Sequence, residues 1–347
     1  MSEPWYFATA ARHLETLLAE ELRGLGIAPV AETRAGVRFG ARLRDAYRVC
    51  LWSRVANRVL LRVGRFPAGT PEALYAGIRA LPWEQHLTPT STFAIHLDTA
   101  RSAITHSHFG ALTVKDAIAD RFRDLFGTRP DVRTLRPDLQ IQVYLFRDEA
   151  TVSIDLSGES LHRRGYREEG SMAPLKENLA AAILLRAGWP ELAARGAALV
   201  DPMCGSGTLP IEAALMAADI APGLGRTYWG FAGWLGHDAA LWAELLAEAR
   251  ARREIGLARL GSIRGYDQDP AAIRVALRNL QRAGLAGRVH FERRTVGDPQ
   301  GRGSPGRRQE PGRDDPQGQA RNDRPVDERS RASAPRESGA GGGSPGR

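Results

Sequence analysis

AALVDPMCGSGTLPIEAALMAA, from Ala197 to Ala218, is the stretch on which the reading of this chain turns. Ala197 to Val200 suit a buried strand and run into Asp201. The tight loop Cys204-Gly205-Ser206-Gly207 follows, and an apolar helix opens at Thr208. Pro210 falls in the first helical turn, where a missing N–H does no harm. A strand, a glycine turn and a helix N-terminus let backbone come close to a ligand. Asp201 stands at the carboxyl end of the strand, where open α/β sheets bind cofactors. A Walker loop needs Gly-Lys-Ser/Thr, and no lysine lies here. A dinucleotide fingerprint needs a third small residue where Pro210 stands and an acid about 20 residues on; neither is present. What remains is acid-x-x-x-Gly-x-Gly, a pattern that by itself also suits a purely structural strand–turn–helix.

Outward from this loop, Ala173-Pro174-Leu175-Lys176-Glu177 opens a helix through Arg186, rich in Ala and Leu, and Gly188 closes it. On the other side, Ala221 to Gly261 form an insertion carrying Tyr228, Trp229, Phe231, Trp234 and Trp242, with a charged helix from Trp242 to Arg259. Such aromatics either line a base pocket or pack a helix onto a core, and packing is the commoner use. A second strand, Ser262 to Tyr266, ends in Asp267-Gln268-Asp269-Pro270, then a helix Ala271 to Ala283 and a third strand Arg288 to Arg293. From Gly297 the character changes. Residues 297–347 hold one branched aliphatic, Val326, and no aromatic. A segment of that composition cannot bury enough apolar area to offset its ordering entropy, so it is expected to be disordered. Its ten arginines against eight acids leave only +2, too little for a polybasic arm. The Arg/Gly/Pro/Ser mixture matches GC-rich coding read out of frame or past a truncation.

The N-terminal half alternates strands and helices. In residues 1–45, a strand Trp5 to Ala8 precedes a helix His13 to Leu25, with Leu14, Leu17, Leu18 and Leu22 at helical spacing. Val30 to Arg34 and Gly36 to Phe39 then pair as a hairpin. Residues 46–157 form a second α/β block, a sheet with helices on one side. Its predicted helices are Asp45 to Ala56, Pro71 to Ala80 and Thr113 to Phe126. Its predicted strands are Val59 to Phe66, Thr92 to Asp98, Leu139 to Phe146 and Glu149 to Asp155. A connector at 158–172 brings His162, Arg163, Arg164, Tyr166 and Arg167 together. Cations beside an aromatic suit phosphate contact and base stacking; the same composition also suits a solvated interdomain linker.

The chain's 347 residues are 43% hydrophobic and 25% charged, the balance of a soluble protein with a core. No run of about 18 apolar residues spans a membrane, and the N-terminus has no long apolar signal region. Cys50 and Cys204 lie far apart and give neither disulfide nor zinc spacing, so the chain reads as cytosolic and metal-free. Net charge is +8 with a pI near 10, which favours a polyanionic partner. Nearly all the positive charge is arginine, with Lys115 and Lys176 the only lysines. That bias suits phosphate recognition and also follows from a GC-rich genome.

The loop at Asp201 to Gly207 resembles motif I of S-adenosylmethionine-dependent methyltransferases. Asp267, at the tip of the next strand, can then accept both ribose hydroxyls of an adenosyl group, since two carboxylate oxygens match a vicinal diol. The segments WYFATAARHLETLLAEELRGLG, LPWEQHL, FGALTVKDAIADRF, PDLQIQVYLFRDEATVSIDLSGESLHRRGYR, DPMCGSGTLPIEAALMAADIAPG and YDQDPAAIRVALRN carry the likeness further. Together the chain closely resembles bacterial 23S ribosomal RNA guanine-N2 methyltransferases of the RlmL type, from about residue 5 to 294. The resemblance implies an α/β chain with an N-terminal ferredoxin-like segment at 1–45 and a THUMP RNA-binding domain at 46–157. After the 158–172 connector it implies an incomplete Rossmann-like class I methyltransferase domain at 173–296 and a disordered tail. It implies S-adenosylmethionine as cofactor, held by Asp201, Pro202, Met203, Cys204, Gly205, Ser206, Gly207, Thr208 and Asp267. The partner it implies is 23S rRNA, with Arg163, Arg164, Tyr166 and Arg167 at the contact.

Members of that family place the target amine with an Asn-Pro-Pro-Tyr/Phe loop, and the sequence contains no Asn-Pro-Pro. No catalytic residue is therefore assigned, and the chain is expected to turn over poorly by itself. Two readings stand: a methyltransferase of this type, or a non-catalytic THUMP-type RNA-binding remnant.

Overall fold

The structure, a computed structural model, describes residues 5–40, 42–167 and 175–295. The expected disordered tail at 297–347, connector residues 168–172 and the helix start at Ala173-Pro174 lie outside the described residues.

Elements alternate from the start: β1 (Tyr6–Thr9), α1 (Glu15–Gly24), β2 (Val30–Thr33), β3 (Gly36–Phe39), α2 (Leu43–Trp52), β4 (Arg58–Pro67) and α3 (Pro71–Ala80). Then come β5 (Thr92–Ala100), α4 (Ser107–Phe126), β6 (Asp131–Val132), β7 (Leu139–Phe146) and β8 (Glu149–Asp155). All eight strands join one sheet in the order β2-β3-β1-β4-β8-β7-β5-β6. Because β1 pairs antiparallel with β4, the hairpin-bearing first segment and the following block share a continuous sheet. The apolar stripe expected on α1 is buried as Leu17, Leu18 and Leu22. Helix α3 starts where Thr70 accepts a hydrogen bond from the Ala73 N–H and Pro71 occupies the first turn.

Two expectations for this half need correcting, and one short strand was not foreseen. Helix α2 ends at Trp52 rather than Ala56. Helix α4 begins at Ser107, six positions before Thr113. Its first turns lack an apolar period, and a Cβ on Gly110 would sit 2.9 Å from Leu97 Cδ1, so closeness to β5 rather than periodicity fixes them. The two-residue β6, parallel to β5, is too short to leave a pattern.

The second half carries α5 (Glu177–Arg186), α6 (Trp189–Ala194), β9 (Leu199–Asp201), α7 (Thr208–Ala217), α8 (Ala239–Leu257), β10 (Ile263–Asp267), α9 (Pro270–Arg282) and β11 (His290–Arg293). Its three strands are parallel in the order β11-β10-β9. Both β9 and β11 are edges among the described residues, so an open edge lies on the first strand as well as the third. The expectation of a buried first strand is corrected accordingly: Val200, whose side chain points out of the sheet face on this edge strand, is 57% exposed.

The aromatic insertion packs inward. Phe231 lies 4.5 Å from Tyr47 and 4.9 Å from Trp242 between ring centroids, and Trp229 lies 5.1 Å from Trp242. It also ties to the large sheet, since Tyr228 donates to the Pro137 carbonyl at 2.8 Å and Trp234 Nε1 lies 3.0 Å from His86 Nδ1. The packing use of these rings is the one the chain makes.

A buried polar strut joins the two halves. Glu21 accepts from the Arg54 N–H and Ser53 hydroxyl, and Arg54 donates in turn to the carbonyls of Leu215 and Ile220 at the end of α7 and just beyond it. The last carbonyls of a helix lack intrahelical donors, so the guanidinium caps this end. Arg54 connects the large sheet to the helix whose opposite end forms the glycine loop.

Candidate functional site

The glycine loop sits at the carboxyl ends of β9 and β10, and its shape follows from a few hydrogen bonds. The Met203 N–H donates to Asp201 Oδ1 at 3.1 Å, which turns the chain straight after β9. The Cys204 N–H donates to the Tyr266 carbonyl at 2.8 Å, holding the loop against β10. Gly207 has φ +82°, and a Cβ there would lie 2.8 Å from Phe291 Cζ and 3.0 Å from Ala276 Cβ. Only glycine meets both demands. A Cβ on Gly205 would meet nothing within 4 Å, so that side of the loop faces open space.

Asp267 caps β10 and links three segments. Its Oδ2 accepts from the Gly205 N–H at 2.9 Å and its Oδ1 from the Asp269 N–H at 2.9 Å. An ionised carboxylate offers about four lone-pair sites, so two stay available to a ligand. Asp269 caps α9 through the Ala271 N–H at 2.7 Å. The loop, the acid and the second helix are thereby held in one geometry before anything binds.

Electrostatics rule out one chemistry here. Burial lifts the Asp201 carboxyl above its ordinary value; the Met203 N–H opposes the rise and the Asp267 charge adds to it. Burial, with the charges of Asp201 and Asp267, pushes the Cys204 thiol up to about 12. A thiol held protonated at neutral pH is no nucleophile. Among the described residues no cluster of three or more His, Cys, Asp or Glu is placed to hold a metal ion, and no helix is long and apolar enough to cross a membrane.

Sequence reasoning missed Asn279 and placed Arg167 at the RNA contact rather than beside the glycine loop. Asn279, 1% exposed on α9, donates its amide to the Ser206 carbonyl at 3.0 Å and fixes the top of the loop. Arg167 donates to Thr208 Oγ1 at 2.9 Å and lies 3.2 Å from Glu177, so it braces the first turn of α7 against α5. No motif announces either residue's part in the loop, since each is recognised only through the partner across the fold.

The connector residues separate on inspection. Arg163 is exposed. Tyr166, expected to stack on a base, is 3% exposed and donates its hydroxyl to Glu212 at 3.0 Å. Arg164, expected at phosphate in the same way, is 3% exposed and donates to the carbonyls of Leu161 and Arg54. Its Nε lies 3.7 Å from the wholly buried Glu212. Stacking by Tyr166 is corrected to an internal role. Cations beside an aromatic look alike in sequence whether they serve RNA or a buried carboxylate.

Comparison with known proteins agrees from residue 6 to residue 300. Residues 6–60 match the RlmL ferredoxin-like domain, residues 68–155 the THUMP domain, and residues 164–300 a methyltransferase domain described as RMKL-like. A ribosomal RNA large subunit methyltransferase K/L of Allochromatium vinosum is 60% identical over 86% of this chain and 40% of its own length. Its counterpart in Methylococcus capsulatus is 59% identical over 87% of this chain and 41% of its own length. The chain thus spans about two-fifths of the curated relatives it matches. Among solved structures, a predicted N6-adenine-specific DNA methylase of Listeria monocytogenes superposes with TM-score 0.75 at 33% identity, covering 85% of this chain and 75% of that one. A putative methyltransferase complexed with SAH gives TM-score 0.74 at 32% identity, covering 85% and 76%. With RlmL ferredoxin-like, THUMP and RMKL-like methyltransferase domains matched in succession, and solved methyltransferase relatives at 32–33% identity of which the chain covers 75–76%, the chain belongs to the RlmL-like family of THUMP-containing methyltransferases.

Proposed function

We propose that this chain carries the cofactor site and RNA-recognition region of an S-adenosylmethionine-dependent methyltransferase acting on the exocyclic N2 amine of a guanine in 23S rRNA. The observation that carries this reading is the glycine loop at the end of β9, hydrogen-bonded to an acid at the tip of the parallel neighbour β10. The SAH complex of the related structure and the names of the K/L relatives support the same cofactor and an rRNA substrate. An rRNA target makes the protein cytoplasmic.

The residues present fit an adenosyl ligand. Asp267 keeps acceptor capacity for two ribose hydroxyls, and the open side of Gly205 leaves room for the methionine part along Asp201, Pro202, Met203, Cys204, Gly205, Ser206, Gly207 and Thr208. When bound, S-adenosylmethionine supplies an electrophilic sulfonium methyl group. The chain's own contribution is positioning: Asn279 and Asp267 hold the loop, and Cys204 stays a neutral thiol that neither attacks nor competes for the methyl group. In this division residues 1–157 recognise RNA and residues 173–296 hold the cofactor, with exposed Arg163 at the contact.

The test is selectivity. Labelled S-adenosylmethionine should bind the purified chain, be displaced by S-adenosylhomocysteine, and be unaffected by ATP or NAD. An unmodified 23S rRNA transcript should bind with strong salt dependence. Displacement by ATP or NAD would show that the glycine loop serves another nucleotide and refute the proposal.

A further inference from the structure

A second cleft lies at the opposite end of α7 and α9 from the glycine loop. It encloses about 220 Å³ between the Tyr166 segment, the turn after Ile220, helix α8 and the end of α9. Arg164, Arg250, Arg253 and Arg282 line it, and no carboxylate of the described residues does. Its side chains differ in how they are held. Arg250 and Arg282 are exposed, and Arg253 is half-buried with one nitrogen donating to the Gly284 carbonyl at 3.2 Å. Arg164 is buried at the wall, with its Nε turned to the buried Glu212. The nearby acids are largely engaged: Glu212 faces Arg164 at 3.7 Å, Glu254 lies 3.4 Å from Arg253, and Asp219 accepts two hydrogen bonds from Arg252. Arg164, Arg250 and Arg253 by themselves exceed what Glu212 and Glu254 neutralise.

From this arrangement we infer that the cleft binds a phosphate of the RNA sugar–phosphate backbone. Planar guanidiniums present paired N–H donors that match phosphate oxygens, and Arg250, Arg253 and Arg282 bring three of them to one cleft. Small free anions share that chemistry. The RNA source is favoured because two of the arginines, Arg250 and Arg282, stand exposed at the mouth, where a continuous strand can pass rather than a ligand be enclosed. Helices α7 and α9 have 10 and 13 residues. At about 1.5 Å per residue this sets the cleft roughly 15–20 Å from the loop. Backbone held there would be anchored well away from the nucleotide presented to the cofactor, which adds register without touching the reacting base.

This assignment rests on the RNA-substrate reading above, and the test separates the two. The full chain, Arg250→Ala/Arg253→Ala, and a control Arg259→Ala are titrated with an unmodified 23S rRNA transcript over a range of salt. Arg259 is exposed just past the end of α8 and does not line the cleft. Thermal unfolding confirms that each is folded. The double variant should bind more weakly and lose about 0.7–1.4 from the slope of log K against log salt, the loss of one or two phosphate contacts on single-stranded RNA. The control should lose no more than half of that. Equal slopes for the double variant and the control would overturn the cleft assignment while leaving RNA binding intact. Salt-independent binding by the unsubstituted chain would instead overturn the RNA-substrate reading. Calorimetric binding of inorganic phosphate that the double substitution abolishes, with an unchanged RNA slope, would refute the RNA assignment in favour of a small-anion site.

Discussion

Replacing Glu212 by Gln tests the buried pair it forms with Arg164. Glu212 is wholly buried, accepts from the Tyr166 hydroxyl at 3.0 Å and lies 3.7 Å from Arg164 Nε. Glutamine keeps the shape and an acceptor for Tyr166, so the substitution removes little except the negative charge. Arg164 is then left without its carboxylate, and Arg54, whose guanidinium burial already holds below its usual value, loses the charge that most offsets that burial. Removing one partner of a buried pair costs about 3–5 kcal/mol, because the surviving charge stays desolvated. That is a large part of the roughly 5–15 kcal/mol by which a domain is stable. Urea unfolding should show the loss as a lower midpoint with an unchanged slope. Combining Glu212→Gln with Arg164→Met should recover part of it, giving a coupling of about 1–3 kcal/mol. A loss below about 1 kcal/mol, or strict additivity, would refute the view that this pair is energetically closed.

Three further outcomes are expected. Gly207→Ala places a Cβ against Phe291 at φ +82°. The resulting loop strain of about 1–3 kcal/mol should weaken S-adenosylmethionine binding roughly tenfold, read by calorimetry. Asn279→Ala leaves the Ser206 carbonyl without its amide donor and should cost about 1–3 kcal/mol of stability by thermal unfolding. His162 is held near 4 by burial and by the charges of Lys176, Arg164, Arg163 and Arg167. Since its folded value lies below the unfolded 6.5, the unfolded chain takes up the proton first; the stability tied to the neutral ring is full above pH 6.5 and lost as pH falls toward 4. His162→Gln should flatten that part of the pH profile, an effect of about 1–2 kcal/mol after discounting for solvent exposure.

Much of the fold was legible because period and punctuation agree. Strands β7 and β8 occupy the expected residues, since alternation and a two-residue turn leave no other register. Helix α3 runs from Pro71 to Ala80 as expected. The acid-x-x-x-Gly-x-Gly loop and the acid at the tip of the next strand are local signals too, and both lie at the same strand ends. What was illegible depends on distant partners. Asn279 looks like an ordinary helix residue and Arg167 like an RNA contact until Ser206 and Thr208 are seen beside them. Arg164 and Tyr166 read as an RNA surface because composition carries no information about which way a side chain turns; Glu212, on another helix, turns them inward. Arg250, Arg253 and Arg282 come from two helices, so no sequence window gathers them.

The central claim is that Asp267 and the Asp201 to Thr208 loop hold an adenosyl cofactor. Calorimetric titration of the chain and of Asp267→Ala with S-adenosylmethionine tests it most directly. A hydrogen bond to a charged acceptor contributes about 1.5–3 kcal/mol, so the substitution should weaken binding about tenfold or more. Loss of the Gly205 N–H contact acts in the same direction. Tight binding by the unsubstituted chain with the predicted weakening supports the claim; binding that Asp267→Ala leaves unchanged contradicts it.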